Sequence, residues 1–119
     1  MGGLFVKYIA NLWRCFVDTP FLNVRMIFPS VQRDVSKIVE HAKTDSNIKK
    51  VMIFGSSVTW ACCPHSDIDL YYELEREEQV DTPLTDRSID KWNNFTVDYN
   101  LLSEIKNKGV VVYERDAVG

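Results

Sequence analysis

The stretch Val51-Met52-Ile53-Phe54-Gly55-Ser56-Ser57, followed after a spacer by Asp67-Ile68-Asp69-Leu70-Tyr71-Tyr72, decides the fold of this chain. The first run is apolar until it breaks at Gly-Ser-Ser, so it predicts a strand that ends in a turn. The second run predicts another strand, which begins with two carboxylates one residue apart. Successive side chains of a strand point to opposite faces, so one face carries Asp67, Asp69, Tyr71 and Glu73, and the other Ile68, Leu70, Tyr72 and Leu74. The acidic face is therefore suited to binding a cation, while the other face is suited to burial.

The two carboxylates and the glycine-serine turn have complementary chemistry. Asp67 and Asp69 would stand roughly 7 Å apart along a strand, where they repel each other unless divalent ions, about 3.5–4 Å apart in two-metal sites, lie beside them. A glycine at position 55 lets the backbone approach a phosphate closely, and a small residue such as Ser56 at a helix start leaves N–H groups free for an anion. Together the two stretches predict a site for metal ions and phosphate groups.

This arrangement resembles the nucleotidyltransferase superfamily that includes DNA polymerase β. The signature of that superfamily is an apolar strand, Gly-Ser, a spacer and Asp-x-Asp on the next strand. Here Gly55-Ser56 is followed by a ten-residue spacer, Ser57 to Ser66, and then by Asp67-Ile68-Asp69, the spacing of the minimal nucleotidyltransferases. The end of the chain is also similar to theirs, because a predicted short helix precedes Gly109-Val110-Val111-Val112-Tyr113. The resemblance extends from about Val31 to Tyr113.

The resemblance implies a fold, a reaction and a set of site residues. The fold is α+β, as in the polymerase β palm, with a mixed β-sheet and helices packed mainly on one face. The reaction transfers a nucleoside monophosphate, AMP from ATP, to a hydroxyl group and releases pyrophosphate. Two Mg²⁺ ions would be held by Asp67, Asp69 and a third carboxylate, Asp98 in Val97-Asp98-Tyr99. The nucleotide phosphates would be bound by Gly55, Ser56 and Ser57.

Length, charge and cysteine content limit the classes of protein to consider. A chain of 119 residues is expected to hold one catalytic domain, residues 31–119, after an N-terminal helix and connector, residues 1–30, with no room for a separate substrate domain. The formal net charge of −3 argues against stable binding of long nucleic acid. Three cysteines, an odd number, and no apparent cleavable signal sequence favour a reducing cytoplasm.

The beginning of the chain has a helical pattern. Residues 4–17 place apolar side chains at helical spacing and predict an amphipathic helix that is too short and too polar to span a bilayer. Packing of this helix on its own domain is the simplest interpretation, and docking on a partner or a second copy, or attachment to a membrane surface, are the alternatives. Residues 18–30 contain two proline turns and predict a connector. A second helix is predicted from Ser30, which serves as its N-cap, to about Ala42.

The second half of the chain is assigned from short patterns. The segment Thr85 to Trp92 predicts a short helix capped by Thr85, with Trp92 packed inward or, alternatively, lining a nucleobase pocket. Alternation from Phe95 to Leu101 predicts a strand with Asp98 on its polar face. A helix from Ser103 to Lys108, ended by Gly109, then leads to the last strand.

The spacer departs from the pattern of the family. Many relatives carry an Arg-Gly pair where this chain has Thr59-Trp60, which leaves open how the triphosphate is held. Cys62, Cys63 and His65 suggest zinc, but there is no second Cys/His pair in the sequence to complete four ligands. We therefore expect these three to be loop or buried residues.

Three hypotheses for the function are retained. Small proteins with this spacing are similar to antitoxins whose partner is a HEPN-domain ribonuclease toxin, which implies AMP transfer to a tyrosine of that toxin. A second enzyme hypothesis is transfer to a small molecule such as an aminoglycoside, although those relatives usually carry an additional helical domain. The third is a catalytically silent module that binds a nucleotide or a partner. The sequence leaves homo-oligomers open.

Overall fold

The computed structural model describes residues 12–115. This part of the chain contains two α-helices and four strands, in the order α1 (Gln32–Ala42), β1 (Ile48–Phe54), β2 (Ile68–Leu74), β3 (Ile89–Asn93), α2 (Tyr99–Lys108) and β4 (Val110–Glu114). Short 3₁₀ turns occupy Val24–Met26, Pro29–Val31 and Gly55–Val58. No helix within these residues has the length and apolar character needed to cross a membrane.

The strands form one mixed sheet in the order β3-β2-β1-β4. The central strand β1 is antiparallel to both β2 and β4, whereas β3 is parallel to β2. A parallel pair needs a crossover connection, and residues 75–88 provide it without a helix or strand of their own. The predicted α+β class with a mixed sheet is therefore confirmed.

The two helices of the described residues pack on opposite faces of the sheet. Helix α1 packs on the side that holds Ile53 and Leu70, through Val35, Ile38, Val39 and Ala42. Helix α2 covers the other side, where its fully buried Ile105 packs with Met52, Phe54 and Tyr71. The central strands have apolar side chains on both faces, so both faces must be covered. The structure thus differs in one detail from the expectation that the helices lie mainly on one face.

The N-terminal predictions have mixed outcomes. Most of the predicted amphipathic helix, residues 4–11, lies outside the described residues, and residues 12–17 are not helical. Trp13 is buried and its ring meets those of Phe28 and Trp60 edge to face. The prediction that Ser30 caps α1 is wrong, because Ser30 lies in the Pro29–Val31 turn that leads directly into the helix, and Val31 is the N-cap without a side-chain hydrogen bond.

Two assignments in the second half of the chain are wrong. The helix predicted for Thr85 to Trp92 is instead the loop before β3 and β3 itself, whose backbone pairs with β2. The strand predicted for Phe95 to Leu101 is instead a turn followed by the start of α2. Asp98 has extended backbone, but it is the N-cap of α2, and its Oδ1 accepts a hydrogen bond of 2.8 Å from the Leu101 N–H. Because α2 begins at Tyr99, it also extends four residues beyond the predicted start at Ser103.

A polar network fixes the segment that enters β3. The buried carboxylate of Asp34 in α1 accepts hydrogen bonds from the backbone N–H groups of Asp86 and Arg87, at 3.1 and 3.0 Å. The guanidinium of Arg87 in turn donates to the carbonyl oxygens of Cys63 and Ser66, at 2.7 and 3.0 Å. These bonds tie α1, the spacer and the start of β3 together, so they set the position of the residues that follow in β3.

Candidate active site

The site is built where four strands meet at one end of the sheet. Phe54, the last residue of β1, pairs with Asp69 near the start of β2. Asp69 pairs in turn with Asp90 near the start of β3, and Ile53 pairs with Val110, the first residue of β4. The glycine-serine turn follows Phe54 directly, so the turn and the carboxylates of two strands lie at the same edge.

The close contact between the turn and the Asp69 carboxylate requires glycine at position 55. Its φ of +74° lies in the left-handed region, which residues with a Cβ rarely adopt. A Cβ at this position would also overlap the Oδ2 atom of Asp69 and come within 3.1 Å of its Cγ. The carboxylate of Asp69 therefore lies directly against the turn, in space that only glycine leaves free.

Asp69 is the electrostatic centre of the site. It is half-buried beside the turn, and burial is the first cause that raises its pKa above the ordinary value. The negative charges of Asp90 and Asp67 raise the pKa further. Three carboxylates thus oppose one another here, and a cation bound among them would relieve both the burial penalty and the repulsion.

Asp90 is the site residue that sequence reasoning missed. The helix predicted for Thr85 to Trp92 includes Asp90 and gives it no reason to face the sheet. Read as a strand, the same residues place Asp90 and Trp92 on one side by simple alternation, and Asp69 pairs with Asp90 in the structure. Alternation in this segment was therefore the signal that would have found it.

Asp98, the predicted third carboxylate, is placed differently. The strand β3 runs from the Asp69 end of the sheet to Asn93, which pairs with Tyr72. Tyr72 lies three residues beyond Asp69, roughly 10 Å along the strand. Asp98 follows this far end and caps α2, and it is not among the charged groups that raise the pKa of Asp69. Its metal-binding role stays a prediction that this position does not support.

The predicted phosphate-binding residues form the turn itself. Gly55, Ser56 and Ser57 all belong to the 3₁₀ turn Gly55–Val58. The carbonyl oxygen of Ser56 accepts hydrogen bonds from both the N–H and the hydroxyl of Thr59, at 3.0 and 3.1 Å. The Ser57 hydroxyl is buried and has no hydrogen-bond partner among the described residues. Most buried hydroxyl groups are hydrogen-bonded, so this one is an exception within the turn.

The carboxylates of the site suit magnesium that is bound together with phosphate groups. Within residues 12–115 no three acidic, histidine or cysteine side chains are arranged to hold a metal ion by themselves. Magnesium is usually held by one or two carboxylates together with substrate phosphates and waters, rather than by an all-protein cage. The opposed carboxylates beside the glycine-serine turn suit an ion that is bound together with phosphate groups.

Two aromatic residues line the same face. The ring of Trp92 lies 5.5 Å from that of Phe54, tilted by 55°, and packs against the cluster beneath α2. This contact favours the packing interpretation of Trp92 over a nucleobase pocket. Trp92 also lines a cavity of about 540 Å³, together with Val80 and Thr96.

Comparison with known proteins agrees with this geometry. A family model described as "Polymerase beta, Nucleotidyltransferase" matches residues 36–118, which include the glycine-serine turn and all four strands. Among curated proteins, none matches the chain. The family match spans most of the 119 residues and contains every carboxylate that meets at the site. The chain therefore belongs to the polymerase beta nucleotidyltransferase family.

Proposed function

We propose that this nucleotidyltransferase moves AMP from ATP to a hydroxyl group, and that Asp67, Asp69 and Asp90 hold magnesium together with phosphate groups of the bound nucleotide. One observation carries the proposal: Asp69 and Asp90 are paired across two strands, and Asp69 lies against Gly55 in a turn suited to phosphate. In-line transfer of a phosphate-linked group to a hydroxyl requires carboxylates that hold metal ions directly beside the bound phosphates.

The chain's own residues have distinct tasks in this reaction. Backbone N–H groups of the Gly55 turn, with the hydroxyls of Ser56 and Ser57, bind the phosphates that leave as pyrophosphate. Asp67 and Asp69 would hold the metal ion that orients the α-phosphate, and Asp90 would orient or deprotonate the attacking hydroxyl. Bound magnesium supplies neutralisation of the phosphate charge and lowers the pKa of the acceptor hydroxyl.

A pair of variants tests which residue is the third carboxylate. Asp90→Asn should lower pyrophosphate release at least about 100-fold, because it removes a charge that holds the metal and the acceptor. Asp98→Asn is the matched control, since asparagine caps a helix about as well as aspartate and should leave the rate unchanged. If Asp98→Asn abolishes transfer and Asp90→Asn does not, the assignment to Asp90 is wrong and the assignment to Asp98 holds.

For the acceptor, we propose a tyrosine of a partner HEPN-domain toxin. Support comes from the ten-residue spacer between Gly55-Ser56 and Asp67-Ile68-Asp69, which the minimal antitoxin-type relatives share. The test incubates the purified chain, magnesium and labelled ATP with and without the product of the neighbouring gene. Label on a tyrosine of that product, located by mass spectrometry, supports the proposal. Label on an aminoglycoside instead would move the protein to the small-molecule class.

A second candidate is a nucleotide-binding module without catalysis. The observation that favours it is the spacer, in which Thr59-Trp60 stands in place of the Arg-Gly pair of many relatives. In this case ATP binds to the chain, but no pyrophosphate is released with any acceptor. Equilibrium binding and pyrophosphate release, measured on the same preparation, separate the two candidates.

A further inference from the structure

The spacer contributes no positively charged side chain to the site. A nucleoside triphosphate carries several negative charges, and the residues from Ser57 to Ser66 include no lysine or arginine. Arg87, which approaches the spacer from the β3 side, is engaged with the carbonyl oxygens of Cys63 and Ser66. A positive charge for the phosphates must therefore come from another part of the chain.

A cavity of about 600 Å³ opens beside the turn. Its lining residues include Gly55, Val58 and Thr59 from the turn and its continuation, and Glu104 and Lys108 from the C-terminal half of α2. Its volume lies within the range of roughly 300–1,000 Å³ that small-molecule sites occupy. Gly55 therefore lies against the Asp69 carboxylate and also lines the cavity.

The fold fixes the end of α2 at this position. Ile105 is fully buried with Phe54 on the sheet face, which sets the rotation of the helix. The N–H of Gly109 closes the last turn with a hydrogen bond of 2.7 Å to the Ile105 carbonyl, and Val110 then pairs with Ile53. These contacts place Lys108, the last residue of α2, near the glycine-serine turn.

Among the described residues that line the cavity, Lys108 is the only cation. None of the ion pairs between described residues involves it, so its ammonium group is available to a ligand. We propose that Lys108 binds the β- and γ-phosphates of the nucleoside triphosphate in this cavity. Its ammonium group would supply the positive charge that Thr59-Trp60 does not provide. This inference rests on the proposed function of the site.

Lys108 has a simpler structural role that a test must exclude. A lysine in the last turn of a helix interacts favourably with the helix dipole. Lys106 also lies in the last turn of α2, but it does not line the cavity. The two lysines therefore share the dipole effect and differ in their access to a ligand, which makes Lys106 a matched control.

The experiment measures equilibrium binding of three probes to the full chain in the presence of magnesium. The probes are ATP, inorganic tripolyphosphate and AMP, and the variants are Lys108→Met, Lys108→Arg and Lys106→Met. A charge-assisted contact to phosphate predicts that Lys108→Met weakens ATP and tripolyphosphate binding roughly 10- to 100-fold. AMP, which lacks the β- and γ-phosphates, should bind as before, Lys108→Arg should retain most of the affinity, and Lys106→Met should match the parent protein for every probe.

The outcomes separate this inference from the proposed function. If Lys108→Met binds ATP as the parent does, or if Lys106→Met loses as much affinity, the inference is wrong while nucleotide binding stands. An equal loss for AMP also overturns it, since the contact would then not be with the outer phosphates. If the parent protein binds neither ATP nor tripolyphosphate, the proposed function itself fails. Circular dichroism of each variant verifies that the fold is retained.

Discussion

Replacement of Gly55 by alanine should lower the stability of the protein moderately and its catalytic rate strongly. The left-handed φ of +74° costs a residue with a Cβ about 1–2 kcal/mol. The added methyl also overlaps Asp69 Oδ2, so the carboxylate must move. A misplacement of about 1 Å at a reacting centre costs on the order of 100-fold in rate. Gly55→Ala should therefore lose about 1–2 kcal/mol of unfolding free energy and roughly 100-fold or more in pyrophosphate release.

The matched control destabilises the other side of the sheet. Val35 is fully buried between α1 and the sheet, away from the carboxylates, and Val35→Ala should cost about 2 kcal/mol through lost burial and packing. Urea denaturation followed by circular dichroism gives both losses, and pyrophosphate release is measured where each variant is fully folded. Full activity in Gly55→Ala, or an equal loss of activity in Val35→Ala, would refute the assignment of Gly55 to the placement of Asp69.

Three further predictions concern single groups. Burial and the charges of its neighbours raise the folded-state pKa of Asp69 above its unfolded value, so ionised Asp69 costs stability above that pKa and the cost disappears as pH falls below the unfolded value. Asp69→Asn should therefore raise the melting temperature of the metal-free protein more at pH 8 than at pH 3, while abolishing transfer; an equal gain at both pH values contradicts this. Tyr72→Phe should stabilise the protein by about 1 kcal/mol in urea, because the Tyr72 hydroxyl is buried without a partner among the described residues, and a loss would mean that the hydroxyl is bonded. The Ser66 hydroxyl lowers the pKa of the exposed Cys63 thiol, so Ser66→Ala should slow alkylation of Cys63 by iodoacetamide relative to Cys15, and an unchanged ratio in mass spectrometry argues against that hydrogen bond.

The central part of the fold was predictable because its signals are local and strong. The apolar run that ends at Gly55 and the alternation after Asp67 are long enough to define strand, face and turn, and β1 and β2 match them. The last strand was predicted for the same reason and is confirmed at Val110–Glu114. The α+β class followed from these elements and from the family pattern.

The errors lie where short segments depend on distant partners. Ile89 and Trp92 are three residues apart, a spacing that would place both on one face of a helix. In β3 they pack on opposite faces of the sheet, which only the pairing with β2 decides. The alternating run around Asp98 imitates a strand, although aspartate is also a preferred N-cap and its carboxylate does cap α2 here. The sequence therefore favoured a strand at Asp98 and a helix at Asp90, whereas the structure has the reverse order of elements at these two positions.

Other parts of the site depend on tertiary structure alone. The bond between Asp34 and the backbone before β3 joins groups more than fifty residues apart, and no periodicity predicts it. The cavity exists because the end of α2 returns to the glycine-serine turn, which follows from the order of the strands in the sheet. Lys108 became a candidate only through that arrangement.

The position of β3 in the sheet ties ligand binding to local order. Among the described strands it is an edge strand, hydrogen-bonded to β2 alone, and edge strands open more readily than central ones. Such fraying would carry Asp90 away from Asp69 while the rest of the protein stays folded. A cation shared by the two carboxylates would in turn fasten the strand, so the amide protons of residues 89–93 should exchange with deuterium more slowly when nucleotide and magnesium are bound.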